Sequence, residues 1–214
     1  MIQDPFFTTL PGIRHGFGTR GDEYPANIVT SRQVHGAEIF EVKGPPVSGL
    51  EGFDILMTGR PGVAVAVKTA DCLPVLLADP EKRLVAAVHA GWRGTVQRVV
   101  QKAVRRMIER GAVLENIHAA LGPNMSGSCY EVGPDVHEIV EKEFPKTAVL
   151  RPKSGSKWFL DVAALNRLQL TELGLPPDRI AQVNLCTHCR PDLFESYRRD
   201  GEKSGRMINF IELL

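Results

Sequence analysis

The stretch from Lys68 to Gly94, KTADCLPVLLADPEKRLVAAVHAGWRG, constrains the fold more than any other part of the chain. Its apolar runs are rich in Val, Ala and Leu, are bounded by turn residues, and lack the alternation of a strand with one exposed face. Runs of this kind predict strands that are buried on both faces. We expect such strands over Val63–Ala70, Leu73–Asp79 and Leu84–Ala90.

Polar side chains stand at the ends of these predicted strands. Asp71 and Cys72 follow the first run, and His89 lies near the end of the third. A carboxylate, a thiol or an imidazole in apolar surroundings is costly unless it is paired, ligated or used in chemistry. We therefore expect a site to open at the turn that follows His89.

Composition limits the classes of protein to consider. The chain has 214 residues, of which 43% are hydrophobic, and this suffices for one domain over residues 1–214. With 26 basic and 25 acidic residues, no overall field favours nucleic acid or an anionic membrane, so partners must be inferred from a site. The oligomeric state stays open. The N-terminus resembles no secretory signal, and no apolar run is long enough to span a membrane, so we expect a cytoplasmic protein.

The remaining segments predict a mixture of strands and helices without regular alternation. A long strand with a bulge at Gly36 is expected over Ile28–Val42, and a helix with Thr95 as N-cap over Thr95–Arg110. Further strands are predicted at Ile13–Thr19, Asp54–Thr58, Ile117–Leu121, Ile180–Leu185 and Arg206–Ile211, and helical segments at Pro134–Phe144, Asp161–Leu173 and Phe194–Arg199. Loops are predicted at Gly21–Ala26, Gly44–Gly52 and Gly122–Gly133. The pattern favours a mixed α/β (α+β) fold in layers over a doubly wound sheet.

His35, Cys72 and His89 form the main candidate for a metal site. They are separated by 37 and 17 residues, so tertiary folding rather than a local knuckle must assemble them. Three protein ligands and one open position are typical of catalytic zinc. Two other interpretations stay open from the residues alone. In the first, Cys72 is a core thiol and the histidines are hydrogen-bonded. In the second, Cys72 is a nucleophile, His89 is its base, and Asp71 or an amide of a loop orients the base.

The other cysteines, Cys129, Cys186 and Cys189, do not suggest a disulfide framework. Cys186-Thr-His-Cys189 is a possible metal motif, but it is the single CxxC in the sequence, so we interpret it as mainly structural. The loop Gly122–Gly133 follows a predicted strand and is rich in small and polar residues, as binding loops often are. It supplies Asn124 as a candidate substrate-binding residue.

Several blocks together resemble the YfiH/YlmD family, whose members have been called laccase-domain polyphenol oxidases and, later, purine nucleoside phosphorylases that also deaminate adenosine. The blocks span most of the chain in the family's order: QVHG (33–36), TADC with Pro74 (69–74), VHAGWRGT (88–95), LGPNMSGSCYEVG (121–133) and FESYRRDGEKSGRM (194–207).

The resemblance implies zinc ligands at His35, Cys72 and His89. It also implies a layered α/β/β/α sandwich with mixed central sheets, similar to the catalytic domain of certain bacterial deamidating toxins. The implied activities are phosphorolysis of adenosine, inosine, guanosine and methylthioadenosine, and deamination of adenosine. The implied partners are a nucleoside and phosphate.

The residues themselves disfavour copper. A multicopper oxidase needs many imidazoles, including paired His-x-His runs. This chain contains no His-x-His and six histidines in all: His15, His35, His89, His118, His137 and His188.

Zinc with an open position lowers the pKa of a bound water towards ~7 and acts as a Lewis acid. For deamination, Asp71 beside Cys72 is the candidate proton-transfer group. Alternatively, Asp71 has a structural role and forms a hydrogen bond to a metal-binding residue or to the backbone.

For phosphorolysis, Arg93 is the candidate phosphate-binding residue, assisted by the N-terminus of the helix at Thr95. Alternatively, Arg93 has a structural role and connects two loops.

One segment departs from the family pattern. Family members carry a longer insert between the Thr-Arg-Gly and Gln-Val-His motifs, with an arginine-bearing helix, whereas here only Asp22–Ser31 fills this gap. If that arginine binds phosphate, Arg20 or Arg32 must replace it, or phosphorylase activity is reduced.

Two other functions stay open at this point. Some members of the family are named peptidoglycan editing factors, which suggests a zinc or cysteine hydrolase acting on peptidoglycan-related amides. A non-enzymatic, zinc-stabilised interaction module is the second alternative, in which metal removal unfolds the protein.

Overall fold

Fifteen strands form four sheets in the computed structural model of the chain, which describes residues 1–145 and 147–214. The strands are β1 (Ile13–Gly16), β2 (Ile28–Val29), β3 (Ser31–Arg32), β4 (Ile39–Val42), β5 (Leu50–Glu51), β6 (Ile55–Thr58), β7 (Ala64–Thr69), β8 (Leu73–Asp79), β9 (Leu84–Ala90), β10 (His118–Leu121), β11 (Glu131–Val132), β12 (Leu150–Lys153), β13 (Lys157–Leu160), β14 (Ile180–Gln182) and β15 (Met207–Leu213). The α-helices are α1 (Trp92–Val96), α2 (Val99–Glu109), α3 (Pro134–Glu143), α4 (Val162–Glu172) and α5 (Tyr197–Asp200). Short 3₁₀ helices cover Phe7–Thr9, Leu114–Asn116, Pro177–Arg179 and Gly201–Lys203.

Two mixed sheets form the centre of the fold. The larger has six strands in the order β14-β10-β8-β9-β6-β4, and the smaller has four in the order β1-β15-β7-β2. In the larger sheet the outer pairs β10/β14 and β4/β6 are parallel, whereas the three inner pairs are antiparallel. β11, β13 and β12 make a small antiparallel sheet, and β3 pairs with β5.

The six-stranded sheet is buried on both faces, as predicted for its central strands. Every residue of β8 and of β9 is buried. Alternate side chains enter two different cores, since successive residues of a strand point to opposite faces. Ile55, Val75 and Val88 pack with residues of α2, α3 and α4, whereas Leu56 and Leu76 pack against the four-stranded sheet. The structure thus confirms the mixed α/β class and the layered sandwich.

The single long strand predicted over Ile28–Val42 is wrong. The segment is divided into β2, β3 and β4, and each of these belongs to a different sheet. Between β3 and β4, His35 has a left-handed backbone with φ of 60°. Each short piece is extended, as the alternating pattern predicts. The segment is not one strand, because the chain passes from one sheet to another twice.

The helix predicted over Thr95–Arg110 is likewise two helices. Arg98 has a left-handed backbone (φ 63°) that separates α1 from α2. Thr95 is not an N-cap: it is fully buried within α1, where Asn166 donates to its hydroxyl at 2.9 Å and Gln169 to its carbonyl at 2.9 Å. The predicted anion site at a helix beginning at Thr95 is therefore absent.

Several small elements were not predicted. The region after α3 contains the hairpin β12–β13, to which β11 adds from the loop Gly122–Gly133, and β5 interrupts the loop Gly44–Gly52. The strand predicted over Ile180–Leu185 ends at Gln182. Within the described ranges, no helix has the length and apolar character that crossing a membrane requires.

Gly122, directly after β10, offers a test of the packing between the two main sheets. A methyl group on Gly122 would overlap the fully buried ring of Phe17 and lie 2.8 Å from Cγ of Pro74. Because overpacking a closed core costs about 1–3 kcal/mol, we expect Gly122→Ala to lower the free energy of unfolding by that amount in urea titrations. The control is Gly44→Ala, where the added methyl would meet open space. Equal stability of both variants would contradict this description of the core.

Candidate metal centre and cavity

Three strand ends meet at one end of the six-stranded sheet and assemble the site. β6 and β8 begin there and β9 ends there, since β9 runs antiparallel to both. Residue 73 pairs with residue 90, and residue 55 with residue 88. This register places Asp54 and Cys72, each just before its strand, beside His89 near the end of β9.

The three predicted metal ligands come together at this position. One donor atom each of His35, Cys72 and His89 lies within 4.8 Å of the other two. The imidazole rings of His35 and His89 meet edge to face, with 4.9 Å between centroids. The donor set of one thiol and two imidazoles fits a metal ion with one coordination position left open.

The carboxylate of Asp54, which is fully buried, holds two of these ligands in place. One oxygen, Oδ1, lies 2.7 Å from Nδ1 of His89 and accepts the backbone N–H of His35 at 3.0 Å. The other, Oδ2, accepts the N–H groups of Val34 at 3.1 Å and Gly36 at 2.9 Å. Since Nδ1 of His89 donates to Asp54, its Nε2 is left to bind a metal, which is how metal-binding histidines are commonly oriented.

Gly91 leaves the space that this arrangement needs. A Cβ atom at this position would lie 3.0 Å from Cδ2 of His35 and 3.2 Å from Sγ of Cys72. These separations are shorter than ordinary van der Waals contacts, so any larger residue would displace a ligand.

The charges of Cys72, His89 and Asp54 depend on one another. Burial raises the pKa of the Cys72 thiol, but the nearby imidazoles of His89 and His35 outweigh this effect and lower it to about 6. Burial lowers the pKa of His89, but the Cys72 thiolate and Asp54 raise it to about 9. The pKa of Asp54 is lowered, because the hydrogen bonds from His89 and Gly36 outweigh the effect of burial. The lowered pKa of Cys72 favours the thiolate, the form in which cysteine binds metals, whereas a metal ion would have to displace the Nε2 proton of His89.

Asp71 lies where the chain crosses from the four-stranded to the six-stranded sheet. Its backbone has a φ of 93°, which is rare for a non-glycine residue. Such strained residues often occur at functional sites. Its Oδ1 accepts the hydroxyl of Thr187 at 2.7 Å, and its Oδ2 accepts the backbone N–H of Arg198 at 2.7 Å. The side chain lines the cavity, and its hydrogen bonds tie this crossing to the C-terminal loops.

The triad opens into a cavity of about 690 Å³. Arg32 and Arg93, two of the predicted substrate-binding residues, contribute to its lining. Further cationic and aromatic residues also line it: Lys68, Arg198, Arg206, Trp92, Tyr130 and Tyr197.

Arg20 and Asn124, the other predicted substrate-binding residues, lie elsewhere. The guanidinium of Arg20 forms ion pairs with Glu195 at 3.0 Å and Asp200 at 3.3 Å, so it fastens the N-terminal segment to the C-terminal loops. Asn124 is buried and its side-chain amide donates to the carbonyl of Met125 at 2.9 Å. Neither residue belongs to the cavity lining found in the described part of the chain.

Part of the cavity lining lies in segments that resemble the family. Tyr130, Arg198 and Arg206 belong to the blocks LGPNMSGSCYEVG and FESYRRDGEKSGRM, and this was the available signal for them. Asp54 was predicted only as the first residue of a strand. A carboxylate directly before a fully apolar run was its available signal, because such a group must find partners when it is buried.

The fold and the site together define a class of protein: a layered α/β sandwich with one thiolate and two imidazoles at a sheet end, facing an aromatic and cationic cavity. A model of the family described as multi-copper polyphenol oxidoreductase laccase matches residues 19–214. The chain belongs to this family, which includes the proteins named YfiH and YlmD.

Individual relatives are similar over most of the chain. "Adenosine deaminase RL5", from an unknown prokaryotic organism, is 39% identical over 195 residues, which are 86% of this chain and 74% of that protein. "Purine nucleoside phosphorylase YlmD" of Bacillus subtilis is 39% identical over 167 residues, 77% of this chain but only 60% of that protein. The crystal structure of the hypothetical protein YfiH of Bacillus licheniformis superimposes with a TM-score of 0.83 at 34% identity, covering 88% of this chain and 74% of that chain.

Replacing Asp54 tests the role assigned to its carboxylate. Asp54→Asn removes the charge and one of the acceptors that orient His89 and the backbone around His35. Because loss of such a supporting partner costs 10- to 100-fold in metal affinity, we expect a decrease of about this size for Zn²⁺ in competition with a chromophoric chelator.

The matched control is Asp192→Asn, which removes the same charge from an exposed ion pair with Arg190. Its zinc affinity should equal that of the wild type. An Asp54→Asn protein that is folded by circular dichroism and binds zinc with unchanged affinity would contradict the assignment.

Proposed function

We propose that the protein is a zinc-dependent purine nucleoside enzyme. The proposed reactions are phosphorolysis of adenosine, inosine, guanosine and methylthioadenosine, and deamination of adenosine. The observation that carries the proposal is the position of the His35–Cys72–His89 triad in a cavity that also presents aromatic rings and free cationic groups. The names of the relatives support the same conclusion, since they refer to a purine nucleoside phosphorylase and an adenosine deaminase.

The donor set fits zinc better than a copper cluster. Of the six histidines only His35 and His89 belong to the triad, and His188 lies in a separate group with Cys129 and Cys189. The Nε2 of His15 accepts the backbone N–H of Asp4, and His137 stacks on Trp158. A set of one thiolate and two imidazoles is too small for a multicopper centre and suits a single zinc ion. When bound, zinc would supply a Lewis acid with one open position.

Cationic side chains give the cavity the means to bind phosphate. Among the described residues, no carboxylate forms an ion pair with Arg93 or Lys68, whereas Arg32 is paired with Glu51 at 2.7 Å. Arg198 donates to the carbonyl of Glu131 at 3.0 Å, which fixes its guanidinium beside the cavity. Arg93 and Lys68 are therefore the groups most available to an anion, and guanidinium–phosphate hydrogen bonds are among the strong ones in proteins.

Aromatic side chains provide surfaces for a purine. Trp92, Tyr130 and Tyr197 all contribute to the cavity lining. The guanidinium of Arg93 lies 4.5 Å from the ring centroid of Trp92, so an apolar surface and a cation are adjacent. The two substrates of phosphorolysis need these two features. The aromatic base of the nucleoside can stack on a ring, and phosphate, an anion, needs positive charge.

In phosphorolysis, an oxygen of phosphate forms a bond to C1′ of the ribose as the bond from C1′ to N9 of the purine breaks. The electron pair of that bond leaves with the purine, which takes up a proton. The products are ribose 1-phosphate and the free base. Arg93 and Lys68 would hold the phosphate and partly neutralise it, which reduces the entropic cost of bringing it to the ribose.

In deamination, water adds at C6 of adenosine and ammonia leaves, which gives inosine. Asp71 remains the proposed proton-transfer group because its carboxylate lines the cavity beside Cys72. Both of its oxygens already accept hydrogen bonds, so a proton transfer would exchange one of these bonds for the bond to substrate. Phosphorolysis depends on Arg93 and Lys68, because Arg20 lies outside the cavity lining of the described residues and Arg32 is paired with Glu51.

The proposal is tested by analysing the products that purified, zinc-loaded protein forms from adenosine. With phosphate present we expect adenine or hypoxanthine together with ribose 1-phosphate, and without phosphate only inosine. Mass spectrometry distinguishes these products. Cys72→Ala removes one of the three proposed ligands and should abolish both reactions while the protein stays folded.

Formation of no product by the wild type, or of the same products by Cys72→Ala, would overturn the proposal. The amide hydrolase interpretation would then need to be tested with muropeptide substrates. Unfolding of the wild type on removal of zinc, with no activity in the loaded form, would instead indicate an interaction module.

Arg93→Gln tests the phosphate site by itself. Because a hydrogen bond to a charged group contributes about 1.5–3 kcal/mol, we expect kcat/KM for phosphate to fall by about 10- to 100-fold. The KM for adenosine in deamination should change little. Arg105→Gln, which removes the same charge from the exposed face of α2, serves as the control. Unchanged phosphate kinetics in Arg93→Gln would assign phosphate to other cations.

A further inference from the structure

A second group of metal-binding side chains lies outside the cavity. It consists of Cys129, Cys186, His188 and Cys189, which we call the Cys129 cluster. One donor atom each of Cys129, His188 and Cys189 lies within 4.8 Å of the other two. The Sγ atoms of Cys129 and Cys189 are 3.3 Å apart.

Cys186 lies at the other end of the Cys-Thr-His-Cys segment, next to the three mutually close donors. Its thiol is hydrogen-bonded to that of Cys189, and its sulfur accepts the backbone N–H of Ser126 at 3.4 Å. Cys186 is therefore the neighbouring side chain that could supply a fourth ligand.

The protein backbone holds the cluster together without a covalent link. Two loops contribute to it: the loop after β10, which carries Cys129, and the loop after β14, which carries the other three residues. These loops pair through Asn124, whose N–H donates to the carbonyl of Leu185 at 3.3 Å and whose carbonyl accepts the N–H of Thr187 at 3.1 Å. The guanidinium of Arg199 donates to the carbonyls of Thr187 at 3.0 Å and His188 at 3.1 Å.

We propose that the Cys129 cluster is a second metal site, which binds a thiophilic divalent cation such as Zn²⁺ in a structural role. Three thiolates and one imidazole provide four soft or borderline ligands, the number that a closed, tetrahedral zinc site requires. None of the four residues belongs to the cavity lining found for the described chain. A site with all positions occupied by protein, away from the cavity, is suited to structure rather than catalysis.

The proposed site would stabilise one wall of the cavity. Tyr130, which lines the cavity, directly follows Cys129, and Thr187, which donates to Asp71, lies between Cys186 and His188. The loop after β10 also donates to Asp71, through the N–H of Met125 at 2.9 Å. A metal ion bound to residues of both loops would therefore hold in place the contacts of Asp71, which lies next to the His35–Cys72–His89 triad.

The first test is the zinc content of the protein after chelation, reloading and gel filtration. We expect two zinc ions per chain in the wild type, one in Cys72→Ala, one in Cys189→Ser and none in the double variant. Absence of zinc from Cys72→Ala, or equal zinc contents of Cys189→Ser and the wild type, would overturn the proposal.

A second test needs no substitution in the cluster, so it does not depend on whether Cys189→Ser folds. Cys72→Ala retains three cysteines, all of them in the cluster. We expect these thiols to resist alkylation while zinc is bound and to react, all three, after a chelator is added. Co²⁺ in place of zinc should give thiolate charge-transfer absorption and the visible bands of a tetrahedral site.

A disulfide between Cys129 and Cys189 would give a different result. Only one thiol of Cys72→Ala would then react under non-reducing conditions, with or without chelator, and the proposal would fail. Because the test measures metal and thiols rather than nucleoside turnover, its outcome is independent of the activity proposed for the His35–Cys72–His89 triad.

Discussion

The candidate metal centre depends on the hydrogen bonds of one buried carboxylate, that of Asp54. It accepts three consecutive backbone N–H groups, from residues 34 to 36, and also receives the imidazole of His89. A charged group with no exposed surface is stable only when its hydrogen-bonding capacity is filled, so these bonds are compulsory once the sheet has formed. The same bonds hold a left-handed residue, His35, in a loop without regular structure. One side chain thus determines the position of two ligands from different parts of the chain.

The central sheet and the convergence of His35, Cys72 and His89 were predictable from the sequence to different degrees. Burial on both faces produces apolar runs that cannot be confused with exposed strands, and polar residues at the ends of such runs need an explanation. This reasoning predicts the buried strands and a shared site for the three side chains, which the structure brings together. It could not provide the division of Ile28–Val42 among three sheets, because each piece is too short to carry a pattern of its own.

Arg98 and the binding residues show a second limit. The helical spacing from Thr95 to Arg110 continues through a left-handed residue, so periodicity gave no sign of the break. At Arg98 the cost of that conformation is offset by tertiary contacts: its guanidinium lies 3.9 Å from the ring centroid of Phe144 and donates to the carbonyl of Glu143 at 3.1 Å.

Sequence alone also could not distinguish Arg93, which reaches the cavity, from Arg20, which forms ion pairs. Both are arginines beside glycines, and only their carboxylate neighbours in space differ.

The distances along the chain between His35, Cys72 and His89 have a consequence for when a metal ion could bind to them. No two of these ligands are close enough in sequence to form a site in the unfolded chain, and the register of β6, β8 and β9 must be established before they meet. Pairing of strands that are distant in sequence is slow compared with local folding. A metal ion would therefore bind after the sheet has folded, to a scaffold that is already native.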